Sequence, residues 1–234
     1  MRRLSFCILV GSFLLAGILP MKADNNDWGG INRYAQQNSN LSSPAKGEHR
    51  VVFMGNSITE GWYASHPEFF DSNNYVGRGI SGQTTPQMLV RFRDDVINLQ
   101  PEIVVINAGT NDCAENTGPF NLDFTFGNIV SMAELAKANG IKVVIASVLP
   151  SSGFGWNGNV KDAAERIAAL NAKLKEYAQK NKIPYVDYYT PMVYGEERAL
   201  NPAYTNDGVH PTPEGYDVME AVVKPVLDKT IKSK

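Results

Sequence analysis

The chain has 234 residues, of which 43% are hydrophobic and 20% charged. It is therefore long enough to bury the core of one ordinary globular domain. Lysine and arginine number 22 against 24 aspartates and glutamates, a net charge of −2, and the charge becomes more negative if Arg2, Arg3 and Lys22 are removed with a leader. Such a surface does not favour binding to nucleic acid or to anionic membranes.

The start of the chain, residues 1–23, has the order of a secretory signal peptide. Arg2 and Arg3 precede an apolar run, residues 4–19, and a proline and small or polar residues follow it. The alternative is a membrane anchor, but glycines and a serine interrupt the run, which is shorter than the ~20 apolar residues that a span needs. We expect cleavage near Ala23, a secreted or periplasmic protein, and no stable membrane anchor.

The two cysteines predict no disulfide. Cys7 lies within the leader, so Cys113 is the single thiol of the mature chain. Because no histidine stands near Cys113 in sequence, we expect a small buried residue there and not a second nucleophile.

Regular alternation of strand and helix patterns begins after a polar extension, residues 24–48. In this extension Trp28, Ile31 and Tyr34 recur at helical spacing, which predicts a short helix followed by a loop. The remaining chain, 49–234, forms one domain with five predicted strands: Arg50–Met54, Tyr75–Arg78, Ile103–Asn107, Lys142–Ser147 and Tyr185–Tyr189. Its predicted helices cover roughly 84–99, 121–139, 160–182 and 213–232.

This alternation predicts a parallel sheet with helices on both faces. Five strands fit the flavodoxin-like order 2-1-3-4-5, which gives a single-domain α/β fold, a three-layer α/β/α sandwich with a five-stranded parallel sheet. In that order strands 1 and 3 flank the switch point, where ligands bind beyond the carboxyl ends of the strands.

Four short segments fall at that edge of the predicted sheet. They are GNSIT at 55–59 after strand 1, RGISG at 78–82 after strand 2, GTND at 109–112 after strand 3, and DGVH at 207–210 before the last helix. Together they supply a serine, a histidine with a carboxylate three residues before it, and two candidate oxyanion donors. Acyl transfer by a serine needs this set of groups.

Ser57, His210 and Asp207 are the predicted nucleophile, base and orienting carboxylate. Ser57 lies where strand 1 stops and a turn begins; the alternative is an ordinary serine at a helix N-terminus. Asp207 can accept from one ring nitrogen of His210 while the other nitrogen faces Ser57. The alternative, an Asx turn before the last helix, suits Asp207 but gives His210 no role. A histidine, with its ordinary pKa of about 6.5, suits a base near neutral pH.

Gly79, Asn111 and the main-chain N–H of Ser57 are the predicted oxyanion donors. A glycine lets the backbone approach a substrate closely, and an amide side chain donates hydrogen bonds without adding charge. Simple turn chemistry is the alternative for both Gly79 and Asn111, and it is compatible with these roles. No cluster of cysteines and histidines with metal-ligand spacing occurs, so no metal is predicted.

The four segments resemble those of the SGNH hydrolases, also called GDSL-type esterases and lipases, over about 50–232. Ser57 stands in the serine segment, in which Asn56 replaces the usual aspartate, Gly79 in the glycine segment, Asn111 in the asparagine segment, and Asp207 with His210 in the last. The resemblance implies the SGNH hydrolase fold and the hydrolysis of esters or thioesters without a cofactor.

The predicted function is a secreted serine esterase that removes short acyl groups, acetyl above all, from a small-molecule or oligosaccharide ester. Segments that can overhang the site are short and polar, and they carry rings suited to sugars. The candidate substrate-binding residues are Trp62, Trp156, Tyr194 and Tyr204, each of which can equally be a packing residue. The alternatives are a lysophospholipase or thioesterase with the same machinery, and a catalytically silent carbohydrate-binding domain. The sequence does not predict an oligomeric state.

Overall fold

The computed structural model describes residues 27–233, so the predicted leader, 1–23, lies outside the described residues. A five-stranded sheet forms the centre, in the order β2-β1-β3-β4-β5, and each neighbouring pair of strands is parallel. The strands are β1 Val51–Gly55, β2 Tyr75–Gly79, β3 Ile103–Ile106, β4 Lys142–Ala146 and β5 Tyr185–Val186. The predicted flavodoxin-like order is confirmed.

Helices cover both faces of this sheet. They are α1 Ala35–Asn40, α2 Ser57–Ser65, α3 Pro67–Asp71, α4 Thr85–Asp95, α5 Thr110–Cys113, α6 Leu122–Ala138, α7 Ala163–Lys180, α8 Tyr189–Met192 and α9 Pro213–Lys232. The four long predicted helices correspond to α4, α6, α7 and α9. Two short strands, β6 Val193–Tyr194 and β7 Ala199–Leu200, pair antiparallel apart from the main sheet.

The strands divide the core into two layers because successive side chains of a strand point to opposite faces. On β1, Val52 and Met54 pack with α4, α6 and α7 on one face. Val51 and Phe53 pack with α2 and α9 on the other. Both faces of every central strand are therefore apolar, and polar side chains become possible only where the strands end.

The helix predicted around Trp28, Ile31 and Tyr34 is wrong in its position: turns occupy 28–33, and α1 begins at Ala35. The cause is Asp27, whose carboxylate accepts the main-chain N–H groups of Ile31 and Asn32 at 2.8 and 2.7 Å and so stabilises a turn. Trp28 and Ile31 are exposed, whereas Tyr34 is buried. The hydroxyl of Tyr34 donates to the carbonyl of Gly79.

Candidate active site

Ser57, His210 and Asp207 form one hydrogen-bonded chain at the carboxyl edge of the sheet. The Ser57 hydroxyl lies 2.8 Å from Nε2 of His210, although the two residues are 153 positions apart. Nδ1 of His210 lies 2.6 Å from a carboxylate oxygen of Asp207. The fold thus brings the three predicted residues together in the geometry of a nucleophile, a base and a group that orients the base.

Ser57 is the first residue of α2, directly after β1. Its neighbour Asn56 caps this helix, since the Asn56 side-chain oxygen accepts the N–H of Ile58 at 3.0 Å. The N–H of Ser57 is one of the first N–H groups of the helix, which have no partner within it. Ser57 therefore has a main-chain N–H without a partner inside the helix, and the helix dipole favours negative charge at this end.

Asp207 fixes the loop as well as the histidine ring. One carboxylate oxygen accepts the main-chain N–H groups of Val209 and His210 at 2.9 and 2.8 Å, while the other faces the ring. Burial alone would raise the pKa of Asp207, but the hydrogen bonds from His210 and Val209 outweigh it and lower this pKa to about 2. The Asx turn and the contact with the His210 ring, which were alternatives in the sequence analysis, are thus made by the same carboxylate.

Asn111 lies in α5, just beyond the end of β3, and is almost fully buried. Gly109, at a φ of 120°, makes the turn that starts this helix. The side-chain nitrogen of Asn111 donates one hydrogen bond to the main-chain carbonyl of Gln83 at 2.9 Å. An amide nitrogen carries two hydrogens, so the second can be donated to a substrate oxygen.

The prediction that Gly79 is an oxyanion donor is wrong. Gly79 is buried at the end of β2, and its carbonyl accepts from Tyr34 on the outer edge of the sheet. Because the N–H and C=O of one strand residue point to the same side, its N–H also faces away from β1 and Ser57. A methyl group here would come within 2.2 Å of the main-chain nitrogen of Glu60, so close packing explains this glycine.

Gly82, the last glycine of the same RGISG segment, lies three residues further along the loop that follows β2. It is exposed, has a φ of 77°, and precedes Gln83, the residue that binds Asn111. It also lines a cleft together with Trp156, whose ring centroid lies 6.2 Å from that of His210. The sequence signal was present, since Gly82 belongs to the same RGISG segment, but the end of β2 does not reveal how far the following loop extends.

A buried arginine, Arg91 of α4, binds the ends of β1 and β2 and the loop that contains Gln83. Its guanidinium donates to the carbonyls of Gly55 and Arg78, each at 3.0 Å, at the ends of β1 and β2. It also donates to the Gln83 side chain at 2.6 Å and pairs with Asp95 at 2.7 Å. Sequence reasoning missed Arg91 because a charged residue on a helix is usually exposed.

Asp112, beside Asn111, provides a second buried support. Its carboxylate accepts both the main-chain N–H of Thr85 at 3.0 Å and the Thr85 hydroxyl at 2.6 Å, at the N-terminus of α4. Burial raises the pKa of Asp112, and these hydrogen bonds oppose the rise. The next residue, Cys113, is fully buried, and burial raises the pKa of its thiol well above the ordinary value, so the prediction of a small buried residue is confirmed.

The four aromatic residues predicted to bind substrate have different surroundings. Trp62 is 1% exposed, packs among core aromatic rings and donates to Glu220 at 3.0 Å, so its predicted contact with substrate is wrong. Trp156 is half exposed beside His210. Tyr194 is exposed on β6, and Tyr204 packs partly against the core layer that contains α9. Of these four rings, that of Trp156 packs beside the ring of His210.

The sequence profile of the GDSL-like Lipase/Acylhydrolase family matches residues 53–218. The chain belongs to this family. It is therefore a GDSL-type carboxylic ester hydrolase, as the sequence resemblance predicted.

Three known proteins illustrate how the family resemblance extends along this GDSL hydrolase. The esterase TesA of Pseudomonas aeruginosa is 25% identical over 169 residues, which cover 70% of this chain and 77% of that protein. The acetylxylan esterase of Xylanibacter ruminicola is 21% identical over 218 residues, which cover 78% of this chain but 44% of that protein. The solved structure of a GDSL-like lipase of Bacteroides thetaiotaomicron is 62% identical with a TM-score of 0.86, covering 86% of this chain and 98% of that one.

Removing the amide of Asn111 tests its role as an oxyanion donor in this GDSL hydrolase. We expect Asn111→Ala to lower kcat by about 100-fold or more with a smaller change in KM, because the donor acts mainly on charge that develops in the transition state. The measurement is steady-state kinetics on p-nitrophenyl acetate. Asn121→Ala, which removes the amide that caps α6 away from the triad, is the control. A rise in KM alone would make Asn111 a binding or turn residue.

Proposed function

We propose that the protein is an exported serine esterase that removes short acyl groups, acetyl above all, from carbohydrate. The observation that carries the proposal is the chain of hydrogen bonds from Ser57 to His210 at 2.8 Å and from His210 to Asp207 at 2.6 Å. A serine hydroxyl is a weak nucleophile until a neighbouring base accepts its proton. These contacts supply the base and the carboxylate that orients it.

The proposed reaction proceeds in two halves. The Ser57 oxygen attacks the ester carbonyl while Nε2 of His210 accepts the hydroxyl proton. The imidazolium then donates this proton to the departing alcohol, which leaves an acyl group on Ser57. Water, deprotonated by the same nitrogen, releases the acid and restores the serine. Asp207 stabilises the imidazolium in both halves.

Three donors are proposed for the negative charge on the carbonyl oxygen. They are the N–H of Ser57 at the start of α2, the N–H of Gly82, and the second amide hydrogen of Asn111. Gly82 takes the place that the sequence assigned to Gly79. Such donors are effective because Arg91, Asp112 and Gln83 fix their loops before the substrate binds, so that no reorganisation is needed during the reaction.

A sugar ester is favoured over a fatty ester by the side chains beside the triad. Trp156 offers an exposed ring, and Asn116 and Asn157 offer amides next to it. A long acyl chain would need an extended apolar wall to gain from leaving water, and amide and hydroxyl side chains do not provide one. The acetylxylan esterase of Xylanibacter ruminicola, a relative of this chain, supports the same substrate class.

Export is proposed from the sequence of residues 1–23, which combines two arginines, an apolar run and small residues. Within residues 27–233, no helix is both long and apolar enough to cross a membrane. Measuring the mass of the protein recovered from the periplasm or medium tests this proposal, since cleavage near Ala23 predicts a chain that lacks the leader.

A series of p-nitrophenyl esters of rising acyl length tests the substrate proposal. We expect kcat/KM to be highest for acetyl and to fall as the acyl chain grows, because the site offers long chains little apolar surface. Acetylated oligosaccharides should release acetate, with Ser57→Ala as the control for background hydrolysis. A maximum at octanoyl or longer, or cleavage of lysophospholipid with acetylated sugars untouched, favours the lysophospholipase or thioesterase alternative.

The pH dependence of kcat/KM tests the assignment of the base. We expect the rate to rise with pH through one ionisation, because a histidine base can accept the serine proton only when its ring is neutral. Asp207 adds no step near neutral pH because its pKa is lowered to about 2. The check is a rate profile from about pH 4 to 9. Two ionisations on its acid side would contradict the proposed base.

A further inference from the structure

An open cleft of about 490 Å³ lies beside the triad. Its walls come from three segments: the loop with Gly82, the turn after α5 with Asn116 and Thr117, and the loop with Trp156 and Asn157. We call it the Trp156 cleft. Besides the indole ring, its wall carries mainly amide and hydroxyl side chains, and its one charged side chain is the acidic Glu115.

The position of the cleft determines which part of an ester can occupy it. In the first half of the reaction His210 donates its proton to the oxygen of the leaving alcohol. That oxygen must therefore lie next to Nε2 of His210, and the groups attached to it must lie on the surface adjoining the histidine. The Trp156 ring, tilted by 37° against that of His210 at 6.2 Å between centroids, forms this surface. The alcohol, and not the acyl group, is thus the part directed into the cleft.

The indole is held in a fixed orientation although it is 49% exposed. Its N–H donates to the side-chain oxygen of Asn116 at 2.8 Å, and the Phe154 ring packs beside it at 5.4 Å between centroids. A second contact stabilises the loop that carries Trp156, because the side-chain nitrogen of Asn157 donates to the carbonyl of Ala114 at 2.9 Å. An exposed aromatic ring that is held in place in this way costs little further entropy when a ligand packs on it.

Asn116 joins this ring to the oxyanion site. Its side-chain oxygen accepts from Trp156, while its side-chain nitrogen donates to the carbonyl of Gly82 at 3.1 Å. Its own main-chain N–H donates to the carbonyl of Asn111 at 3.0 Å. Asn116 thus links the indole to two of the proposed oxyanion donors, to Gly82 through its side-chain amide and to Asn111 through its main-chain N–H.

We infer that the Trp156 cleft is the subsite for the alcohol part of the ester, where a pyranose ring packs on Trp156 in a position set by Asn116. The inference rests on the proposed function and deepens it. A pyranose has a face of C–H groups that packs on an indole and a rim of hydroxyls that bonds to amides such as that of Asn116. Asn116 acts through Trp156 and Gly82 and is a positioning residue.

The experiment compares two acetyl esters that differ in the alcohol alone. One is a methyl pyranoside carrying a single acetyl group, and the other is methyl acetate, whose alcohol is too small to reach the indole. The readout is the ratio of kcat/KM for the sugar ester to kcat/KM for methyl acetate. Because the acyl group and the chemistry are the same, this ratio isolates binding of the alcohol.

We expect Trp156→Ala to lower this ratio by about tenfold or more, since truncating an aromatic anchor commonly costs above 1 kcal/mol. Trp156→Phe should retain more of the ratio than Trp156→Ala, and Asn116→Ala should lower it as well, mainly through KM for the sugar ester. Phe124→Ala is the matched control, because Phe124 is a similarly exposed ring on α6 that does not line the cleft; its ratio should equal that of the wild type.

Two results would overturn the inference, and they are distinguishable. If the wild type cleaves the sugar ester and Trp156→Ala leaves the ratio unchanged, the alcohol lies elsewhere, while the proposed carbohydrate esterase stands. If the wild type cleaves methyl acetate but not the sugar ester, the proposed substrate class fails and the subsite fails with it. A variant that loses both activities equally leaves the ratio unchanged and so counts against the inference.

Discussion

Replacing Ser57 by alanine will lower kcat by about a thousandfold or more, because the loss of a triad nucleophile leaves only the catalysis that binding and the oxyanion donors provide. The effect should fall on kcat, since the substrate contacts proposed at Trp156, Gly82 and Asn111 remain. Steady-state kinetics on p-nitrophenyl acetate measures it. Ser65→Ala, at the other end of the same helix α2 and exposed, is the control and should keep wild-type activity.

Labelling with a fluorophosphonate tests independently whether Ser57 is the nucleophile. It reacts with an activated serine, and among the serines of residues 27–233 only Ser57 has its hydroxyl within 2.8 Å of Nε2 of His210. Labelling should therefore occur at Ser57 in the wild type and be lost in Ser57→Ala. A label on Cys113 is not expected, because this thiol is fully buried. An active Ser57→Ala enzyme, or labelling of a different serine, would refute the assignment.

The sheet could be predicted because its strands are apolar on both faces and are separated by long helices whose apolar residues recur at helical spacing. The same pattern predicted that Ser57, Asn111 and His210 share one edge, since parallel strands end on the same side. Short elements such as α2, α3 and α8 were missed because a few residues carry too little periodicity. Ser57 itself begins one of these, α2, so the helix N-terminus considered as the alternative for this serine is where the structure places it.

The errors at the site share a different cause. Gly79 and Trp62 have the right residue types and lie close to the site in sequence, but neither faces it. The carbonyl of Gly79 points to the outer edge of β2, and Trp62 packs in the core. The sequence shows which residues lie near the site along the chain, whereas a role in the site depends on where their side chains and main-chain groups point after folding. Buried polar supports were invisible for a related reason: the hydrogen bonds of Arg91 reach Gly55, Arg78 and Gln83, and such contacts exist only after the chain has folded.

Replacing Asp207 by asparagine separates its two tasks and is expected to lower kcat by about 10,000-fold, the scale known for this change in a serine triad. The amide oxygen can still accept the N–H groups of Val209 and His210, so the loop is kept. The amide nitrogen, however, would place hydrogens against Nδ1 of His210 and favour the tautomer with its proton on Nε2. That nitrogen then cannot accept the proton of Ser57. Asp207→Ala is the comparison, because it removes the loop contacts too.

Unfolding in urea shows whether Asp207→Asn loses activity because its triad is altered or because the protein no longer folds. Burial raises the pKa of Asp207 but its hydrogen bonds lower it to about 2, below the ordinary value of about 3.9. A carboxyl with a lowered pKa stabilises the fold above its unfolded pKa, and this contribution is lost as pH falls through the folded pKa. The stability difference between the wild type and Asp207→Asn should therefore be constant near neutral pH and change as the pH falls from about 4 towards 2. A variant that keeps the triad activity, or a difference that does not change in acid, would show that the carboxylate does not hold His210 through its charge.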